Sequence, residues 1–190
     1  MMNNWKGIVG LNFDKDGFDN YCHSLHWTQW RPSFIVLHNT VNPTLAQRSE
    51  GFTHTHIENL EDYYKNTMHW SAGPHLFIDD KQIWVFCPLT LSGVHSPSYN
   101  KLAIGIEMLG DYNQDDFHSG RGLLVQQNTV AAIATLSAVL GIDPHTMKLH
   151  KEDPETTHKD CPGGKVIKDQ VISAVIALMQ QRHQGDHLRP

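Results

Sequence analysis

Residues 102–109 (LAIGIEML) are apolar except for a single carboxylate, Glu107. A short apolar run of this length, bounded by polar residues, predicts a central strand that is covered on both faces. A buried carboxylate is costly unless its charge is paired or used. Two interpretations of Glu107 stay open at this point: an ion pair inside the domain, with Lys159 as a candidate partner, or a functional group.

Other parts of the chain alternate between strand and helix patterns. Short apolar runs bounded by turn residues indicate strands, and apolar residues at helical spacing indicate helices. The additional predicted strands are residues 34–38, 75–79 and 82–86, and the predicted helices are residues 52–66, 123–140 and 166–179. This order predicts an α/β fold with a mixed central β-sheet flanked by helices, and residues 111–122 form a polar loop within it.

The chain length limits the number of domains. With 190 residues, of which 39% are hydrophobic, the chain can build one sizeable core. We therefore expect a single domain at residues 33–182. Residues 1–32 are predicted to be an N-terminal extension that packs on this domain, and residues 183–190 are predicted to be a polar tail.

Charge and hydropathy exclude several classes of partner. The formal net charge is −5, and the basic residues form no long run, so nucleic acid is not an expected partner. The polar start of the chain lacks the apolar stretch of a signal peptide, and no later segment is continuously apolar over 18 residues, so neither export by a leader nor a membrane partner is expected. We expect synthesis in the cytoplasm, and no protein partner is evident.

The strongest concentration of metal-binding residue types lies between the last two predicted helices. Residues 150–163 contain His150, His158 and Cys161 within one loop, and His38 ends the first predicted buried strand. A catalytic zinc site takes three protein ligands and leaves one position for water, which His38, His150 and Cys161 could satisfy. Spacing alone leaves simpler interpretations open, namely a core histidine bonded to backbone and a small buried cysteine.

Several motifs occur in an order that resembles the type 2 N-acetylmuramoyl-L-alanine amidases. This family includes phage endolysins, muropeptide-recycling amidases and peptidoglycan recognition proteins. The resemblance spans about residues 33–180. The motifs that carry it are IVLHNT (35–40), GPHLFID (73–79), His95 with Asn100, IGIEMLG (104–110), and His150 with THKDCPG (157–163).

The resemblance implies an amidase-like fold and a set of site residues. It implies a Zn²⁺ ion bound by His38, His150 and Cys161, an acid/base carboxylate at Glu107, and a cationic transition-state partner at Lys159. Three further residues, His95, His158 and Asn39, are candidates for contacting substrate or orienting a ligand, although His95 and His158 could equally cap a loop.

The chain departs from the family pattern at one position. Many members carry a tyrosine just before the strand that holds Phe77, where it acts beside the metal, and the matching residue here is Pro74. Proline has no side-chain proton to give. The resemblance therefore implies that Glu107 acts without that tyrosine.

Two functions fit this resemblance. The first is zinc-dependent hydrolysis of the amide bond between N-acetylmuramic acid and L-alanine, acting on peptidoglycan or on soluble muropeptides. The second is a module on the same fold that binds these partners without cutting them. Because the binding branch is expected to lack the metal thiolate and this chain has Cys161, we favour the enzyme. An endolysin would reach the cell wall by lysis or another export route.

Overall fold

The computed structural model describes residues 4–186, which form one six-stranded mixed sheet and four α-helices. The strand order across the sheet is β1-β4-β3-β5-β2-β6. The strands are β1 Leu11–Phe13, β2 Phe34–Asn39, β3 Leu76–Ile78, β4 Ile83–Val85, β5 Ala103–Met108 and β6 Lys148–Leu149. The helices are α1 Lys15–Ser24, α2 His54–Asp62, α3 Gly120–Leu140 and α4 Lys168–Asp186.

The centre of the sheet is parallel and its outer part is antiparallel. Strands β3, β5, β2 and β6 run parallel, whereas β4 is antiparallel to both β3 and β1. In the β2–β5 pair, His38 lies opposite Glu107, near the carboxyl ends of both strands. Ligands of parallel sheets bind at the carboxyl ends of the strands. The strand register alone therefore brings two of the predicted site residues together there.

The long helix α3 forms the centre of the helical layer. Most of its residues are buried, and it packs against α1 and α4 as well as against the sheet. Its length and composition would allow it to cross a membrane, but 67% of its most apolar window is buried inside the domain, which is the pattern of a core helix. Gly141, in the left-handed conformation with φ 68°, ends α3.

The predicted fold class is confirmed, and the observed elements differ from the prediction in detail. Helix α2 stops at Asp62 and continues as a π-helical turn, Tyr63–Thr67. Strands β1 and β6 were not predicted, because these two short edge strands lie outside the continuous apolar runs that indicated the other strands.

The two predicted end segments belong to the folded domain where they are described. In the N-terminal extension, β1 pairs with β4 at the sheet edge and α1 packs on α3. In the predicted polar tail, residues 183–186 continue α4, and residues 187–190 lie outside the described part of the chain.

Candidate metal centre and active site

A cavity of about 750 Å³ opens beside the carboxyl ends of β2 and β5. It is lined by side chains from the parallel strands, the π-helical turn and the loop that follows β6. The lining residues whose side chains could bind a metal or transfer a proton include His38, Tyr64, His95, Glu107, His150 and Cys161. The structure thus gathers most of the predicted site residues around one space.

Three of these residues form a compact cluster of donor atoms. One ligand atom each from His38, His150 and Cys161 lies within 4.8 Å of the other two. His38 comes from β2, whereas His150 begins the short 3₁₀ turn that follows β6. The Lys151 amide donates a 2.9 Å hydrogen bond to the Cys161 carbonyl oxygen, which holds the two ends of the loop together.

The hydrogen bonds around His38 determine which of its nitrogens can bind a metal. His95 Nε2 lies 3.1 Å from the Ala103 carbonyl oxygen, which only accepts, so this nitrogen carries the proton. Burial lowers the pKa of His95 to about 4, so its ring is neutral at neutral pH and Nδ1 accepts. His38 Nε2, 3.0 Å away, must then donate to His95, which leaves His38 Nδ1 with a free lone pair.

His95 is placed by a close approach to the sheet. Its ring lies directly over Gly105 of β5, where a Cβ atom would collide with the ring. The Asn100 side chain accepts the His95 backbone N–H at 2.6 Å and fixes the start of the loop. Thus the predicted residue His95 contacts a cluster residue and the backbone of β5, and its role in orienting a ligand stays a prediction.

His150 is held in a similar way from the other side. Its Nε2 lies 2.9 Å from the Thr156 hydroxyl, which leaves Nδ1 available to a ligand. Burial, followed by the neighbouring His158, lowers the pKa of His150 to about 4. Burial, with smaller contributions from His95, His150 and His158, also keeps the pKa of His38 well below its usual value. Both imidazoles are therefore neutral, as a metal ligand must be.

Cys161 is a thiol in the absence of a cation. Burial raises its pKa, and the nearby Glu107 carboxylate raises it further. The backbone N–H of Asn39 and the more distant Lys151 act in the opposite direction but do not outweigh burial. A metal ion bound here would supply the neighbouring positive charge that stabilises a thiolate.

The donor set fits a zinc ion. Nitrogen and sulfur are the donors that zinc prefers, and bonds of about 2.0–2.3 Å need only small side-chain adjustments from the observed separations. All three side chains also line the cavity, so the remaining side of the cluster faces the space that substrate would occupy. This arrangement is typical of a catalytic zinc site with one open position.

Glu107 lies beside this cluster and has few polar partners. Its Oε1 is 3.8 Å from His38 Nδ1, and only 15% of the side chain is exposed. Burial raises the pKa of Glu107 to about 8. Among residues 4–186 this is its one contact at salt-bridge distance, and it is not an ion pair because His38 is neutral. The ion pair with Lys159 that the sequence left open is likewise absent from this part of the chain.

Lys159 lies outside the main cavity. Its exposed side chain lines a neighbouring pocket of about 260 Å³, which shares Asn39, His158 and Cys161 with the main site. The ammonium group must therefore turn toward the cavity to meet a substrate there. Its predicted role as a cationic partner stays a prediction.

The other two candidates, His158 and Asn39, line both pockets. The His158 ring lies 5.3 Å from the His150 ring, centroid to centroid. The Asn39 side chain donates to the Gly110 carbonyl oxygen at 3.2 Å, and its backbone N–H points at the Cys161 sulfur. Both residues thus lie beside the His38–His150–Cys161 cluster. Their contact with substrate stays a prediction.

Two residues of the site were missed by the sequence analysis. Tyr64 falls within the predicted helix 52–66 and was not a candidate site residue, but it lines the cavity with Glu107. Asp153 is buried and accepts hydrogen bonds from the Ser96 hydroxyl and the Ser98 amide, which connects the His95 loop to the His150 loop. The signal for Asp153 was its place in the densest polar cluster of the sequence.

Similar solved structures show the same fold. N-acetylmuramoyl-L-alanine amidase LysC from Clostridium intestinale has a TM-score of 0.62 and 23% identity, over 80% of this chain and 89% of that chain. PGRP-LB from Drosophila, as a mutant in complex with tracheal cytotoxin, has a TM-score of 0.59 and 19% identity, over 77% and 83% of the two chains. A mutant endolysin from Bacillus subtilis has a TM-score of 0.57 and 25% identity, over 77% and 87%.

Sequence comparison identifies the family. No curated protein sequence matches this chain significantly. The profile described as N-acetylmuramoyl-L-alanine amidase matches residues 28–164, which is more than half of the chain and includes the whole His–His–Cys cluster. The chain therefore belongs to the N-acetylmuramoyl-L-alanine amidase family.

Proposed function

We propose that this chain is a zinc-dependent hydrolase of the amide bond between N-acetylmuramic acid and L-alanine, in peptidoglycan or its fragments. One observation carries the proposal: the Glu107 carboxylate lies beside a His–His–Cys cluster within a single cavity. Family membership and the similarity to the amidase LysC support the same reaction. In this proposal His38, His150 and Cys161 hold the zinc.

The protein groups around the cluster suit acyl transfer to water. A zinc ion bound there supplies a Lewis acid for the scissile carbonyl and lowers the pKa of water to about 7. The positive charge of a bound zinc ion would lower the pKa of Glu107 from the value of about 8 that burial gives it, so the side chain would be ionised at neutral pH. Glu107 would then take a proton from the attacking water as the new C–O bond forms, and return it to the alanine nitrogen as the C–N bond breaks. The products are the carboxyl group of the lactyl ether and a free α-amino group on L-alanine.

The site is less suited to cutting the sugar chain. Glycoside hydrolysis usually needs two carboxylates that flank the scissile bond. The carboxylates that line the cavity are Glu107, which is largely buried, and Glu155, which is exposed. Glu107 also lies against a cluster of metal-binding donors, which glycoside hydrolysis does not require.

A digest of purified cell walls and of soluble muropeptides tests the proposal directly. New free amines that label as N-terminal alanine are expected, without new reducing sugar ends, and a chelator should stop their release. New reducing ends without alanine amines would contradict the amidase assignment. Retention of muropeptides without any cleavage, by protein with zinc bound, would instead identify a recognition module.

A further inference from the structure

The π-helical turn Tyr63–Thr67 places an unexpected side chain in the cavity. Regular α-helix ends at Asp62, and the wider turn that follows carries Tyr64 to the cavity wall that also contains Glu107. Single π-helical turns are rare and are often found at functional sites, because they change the direction in which side chains project. The turn therefore raises the question of what the Tyr64 hydroxyl does.

The Tyr64 ring is held on several sides. It stacks on Trp70 with a centroid distance of 5.1 Å and an interplanar angle of 14°, and it meets the edge of Phe86 at 5.8 Å. Gly73 leaves space for the ring, because a Cβ atom there would lie 3.0 Å from Tyr64 Cδ2. The ring position is thus fixed by packing, and this packing does not depend on the hydroxyl.

The hydroxyl of Tyr64 differs from those of two other tyrosines of the chain. The Tyr99 and Tyr112 hydroxyls donate to the carbonyl oxygens of Glu152 and Leu109. Within residues 4–186 the Tyr64 hydroxyl has no such partner. It is also not one of the unpaired polar atoms that are fully buried. A polar group that is positioned rigidly on a cavity wall and lacks an internal partner is available to a ligand.

The protonation state of Tyr64 favours donation. Burial raises its pKa well above the usual value, and the Glu107 carboxylate raises it further. The phenol therefore keeps its proton at neutral pH.

We propose that the Tyr64 hydroxyl donates a hydrogen bond to the scissile carbonyl oxygen as it becomes an oxyanion. This inference rests on the proposed amidase function. Groups that take the water proton and stabilise the oxyanion act on one carbon atom, so they must open onto one space, and Glu107 and Tyr64 both line this cavity. The hydrogen bond strengthens as negative charge develops, so it lowers the barrier more than it strengthens substrate binding.

The decisive variant is Tyr64→Phe, which keeps the packed ring and removes only the hydroxyl. We expect kcat to fall roughly 10- to 100-fold with little change in KM, less than for a principal oxyanion-hole donor, because a bound zinc ion would stabilise the same oxygen. Tyr63→Phe is the matched control, because Tyr63 is adjacent in the chain and 47% exposed. It should retain kcat within about twofold, because the variant keeps the ring that packs edge-on against Tyr64 and removes only a hydroxyl that does not line the cavity.

Binding measurements separate this role from a structural one. A phosphinate analogue of the scissile amide carries the tetrahedral oxyanion, so Tyr64→Phe should lose affinity for it by about the same factor as kcat, while affinity for the reaction product is retained. Zinc content and melting temperature should match the wild-type protein. Replacing Tyr64 with 4-aminophenylalanine, which keeps an N–H donor, should restore part of the lost rate.

Each contrary result has a distinct meaning. Equal kcat for wild type and Tyr64→Phe overturns this inference and leaves the amidase proposal intact, as does a fall in zinc content or melting temperature that accounts for the lost rate. Failure of 4-aminophenylalanine to restore activity also overturns it. A wild-type protein with zinc bound that releases no alanine amines contradicts the proposed function itself.

Discussion

Two largely buried carboxylates, one on each of two neighbouring parts of the sheet, differ in how many hydrogen-bond donors surround them. Asp79, at the turn between β3 and β4, is 1% exposed and accepts three backbone N–H groups, from Phe52, Lys81 and Gln82, at 2.6–2.7 Å. Glu107, near the end of β5, accepts none from residues 4–186, and its Oε1 lies 3.8 Å from His38 Nδ1. Burial raises the pKa of both groups, and the three backbone donors act against that rise only in Asp79.

The difference shows how a structural carboxylate can be told from a functional one. Asp79 is surrounded so closely that a Cβ atom on Gly51 would lie 2.6 Å from its Oδ2, and Gly51 adopts a φ of 75° to make that approach. The full set of donors around Asp79 fixes a turn. Glu107 keeps lone pairs that only a ligand, a water molecule or a metal-bound substrate can use. We expect substitutions of the two residues to affect different properties.

The largest expected effect is on turnover in Glu107→Gln. The amide is nearly isosteric, so the fold and zinc content should be retained, but it cannot accept the proton of the attacking water. We expect kcat to fall about 100-fold or more. Release of alanine amines from muropeptides measures the rate, and metal analysis of the same sample provides the control. Near-normal turnover would show that Glu107 is not the base.

A second prediction concerns the hydrogen bond that fixes His38. In His95→Phe the His38 Nε2–H loses its acceptor and the tautomer with a free Nδ1 is no longer favoured. Zinc affinity should therefore fall roughly 10- to 100-fold, as is usual when the partner of a ligand is lost. Competition with a chromogenic chelator measures it. His75→Phe is the control, because the His75 ring packs beside His95 but, in the described part of the chain, its nitrogens bond to the backbone of Leu91 and Gly105 and not to a cluster residue. Equal zinc affinities of His95→Phe and His75→Phe would contradict a role of His95 in orienting His38.

The parts of the site that could be predicted from sequence are those fixed by strand register. The apolar runs indicated β2 and β5, and their ends carry His38 and Glu107 as neighbours. Tyr64 could not be placed, because regular helical spacing with Ile57 and Leu60 predicts a core position, whereas the π-helical turn redirects it. The turn depends on packing against distant residues such as Phe86, which no local pattern shows.

Lys159 illustrates the limit of sequence proximity. It lies two positions before Cys161, and the family resemblance implies a role beside the metal, which stays a prediction. In this irregular loop, the Cys161 amide donates to the His158 carbonyl oxygen in a tight turn, and the Lys159 side chain lies on the exposed side. Side-chain direction in such a loop depends on its backbone hydrogen bonds, and these were not readable from the residue types.

The structural carboxylate should affect stability and leave turnover unchanged. In Asp79→Asn one oxygen becomes an NH₂ group, so at least one of the three backbone donors is left buried without a partner. We expect the free energy of unfolding to fall by about 1–3 kcal/mol. Urea unfolding measures this change, and kcat at a temperature where the variant is folded should equal that of the wild type. A variant of normal stability with reduced kcat would remove the distinction between the two carboxylates.

The smallest expected effect is the pH dependence contributed by Asp80, the residue after Asp79. Burial alone would raise the pKa of Asp80, but the paired hydrogen bonds and charge of Arg121 hold it below its usual value. Because the folded-state pKa is the lower one, the stabilisation is present above the unfolded-state pKa of about 3.9 and is lost as pH falls through the folded-state value.

Wild type should therefore exceed Asp80→Asn by about 1 kcal/mol in unfolding free energy at pH 7, and this difference should shrink as the pH is lowered below about 4. Urea unfolding of both proteins at several pH values isolates the contribution of Asp80, because the other carboxylates are common to both. Glu50→Gln is the matched control, since Glu50 is also paired with a cation, Lys81, but is 81% exposed. Solvent screens that pair, so its removal should change stability little at any pH. A difference between wild type and Asp80→Asn that persists unchanged down to a pH of about 2.5, well below the unfolded-state pKa, would mean that Asp80 acts through packing and that its charge contributes nothing.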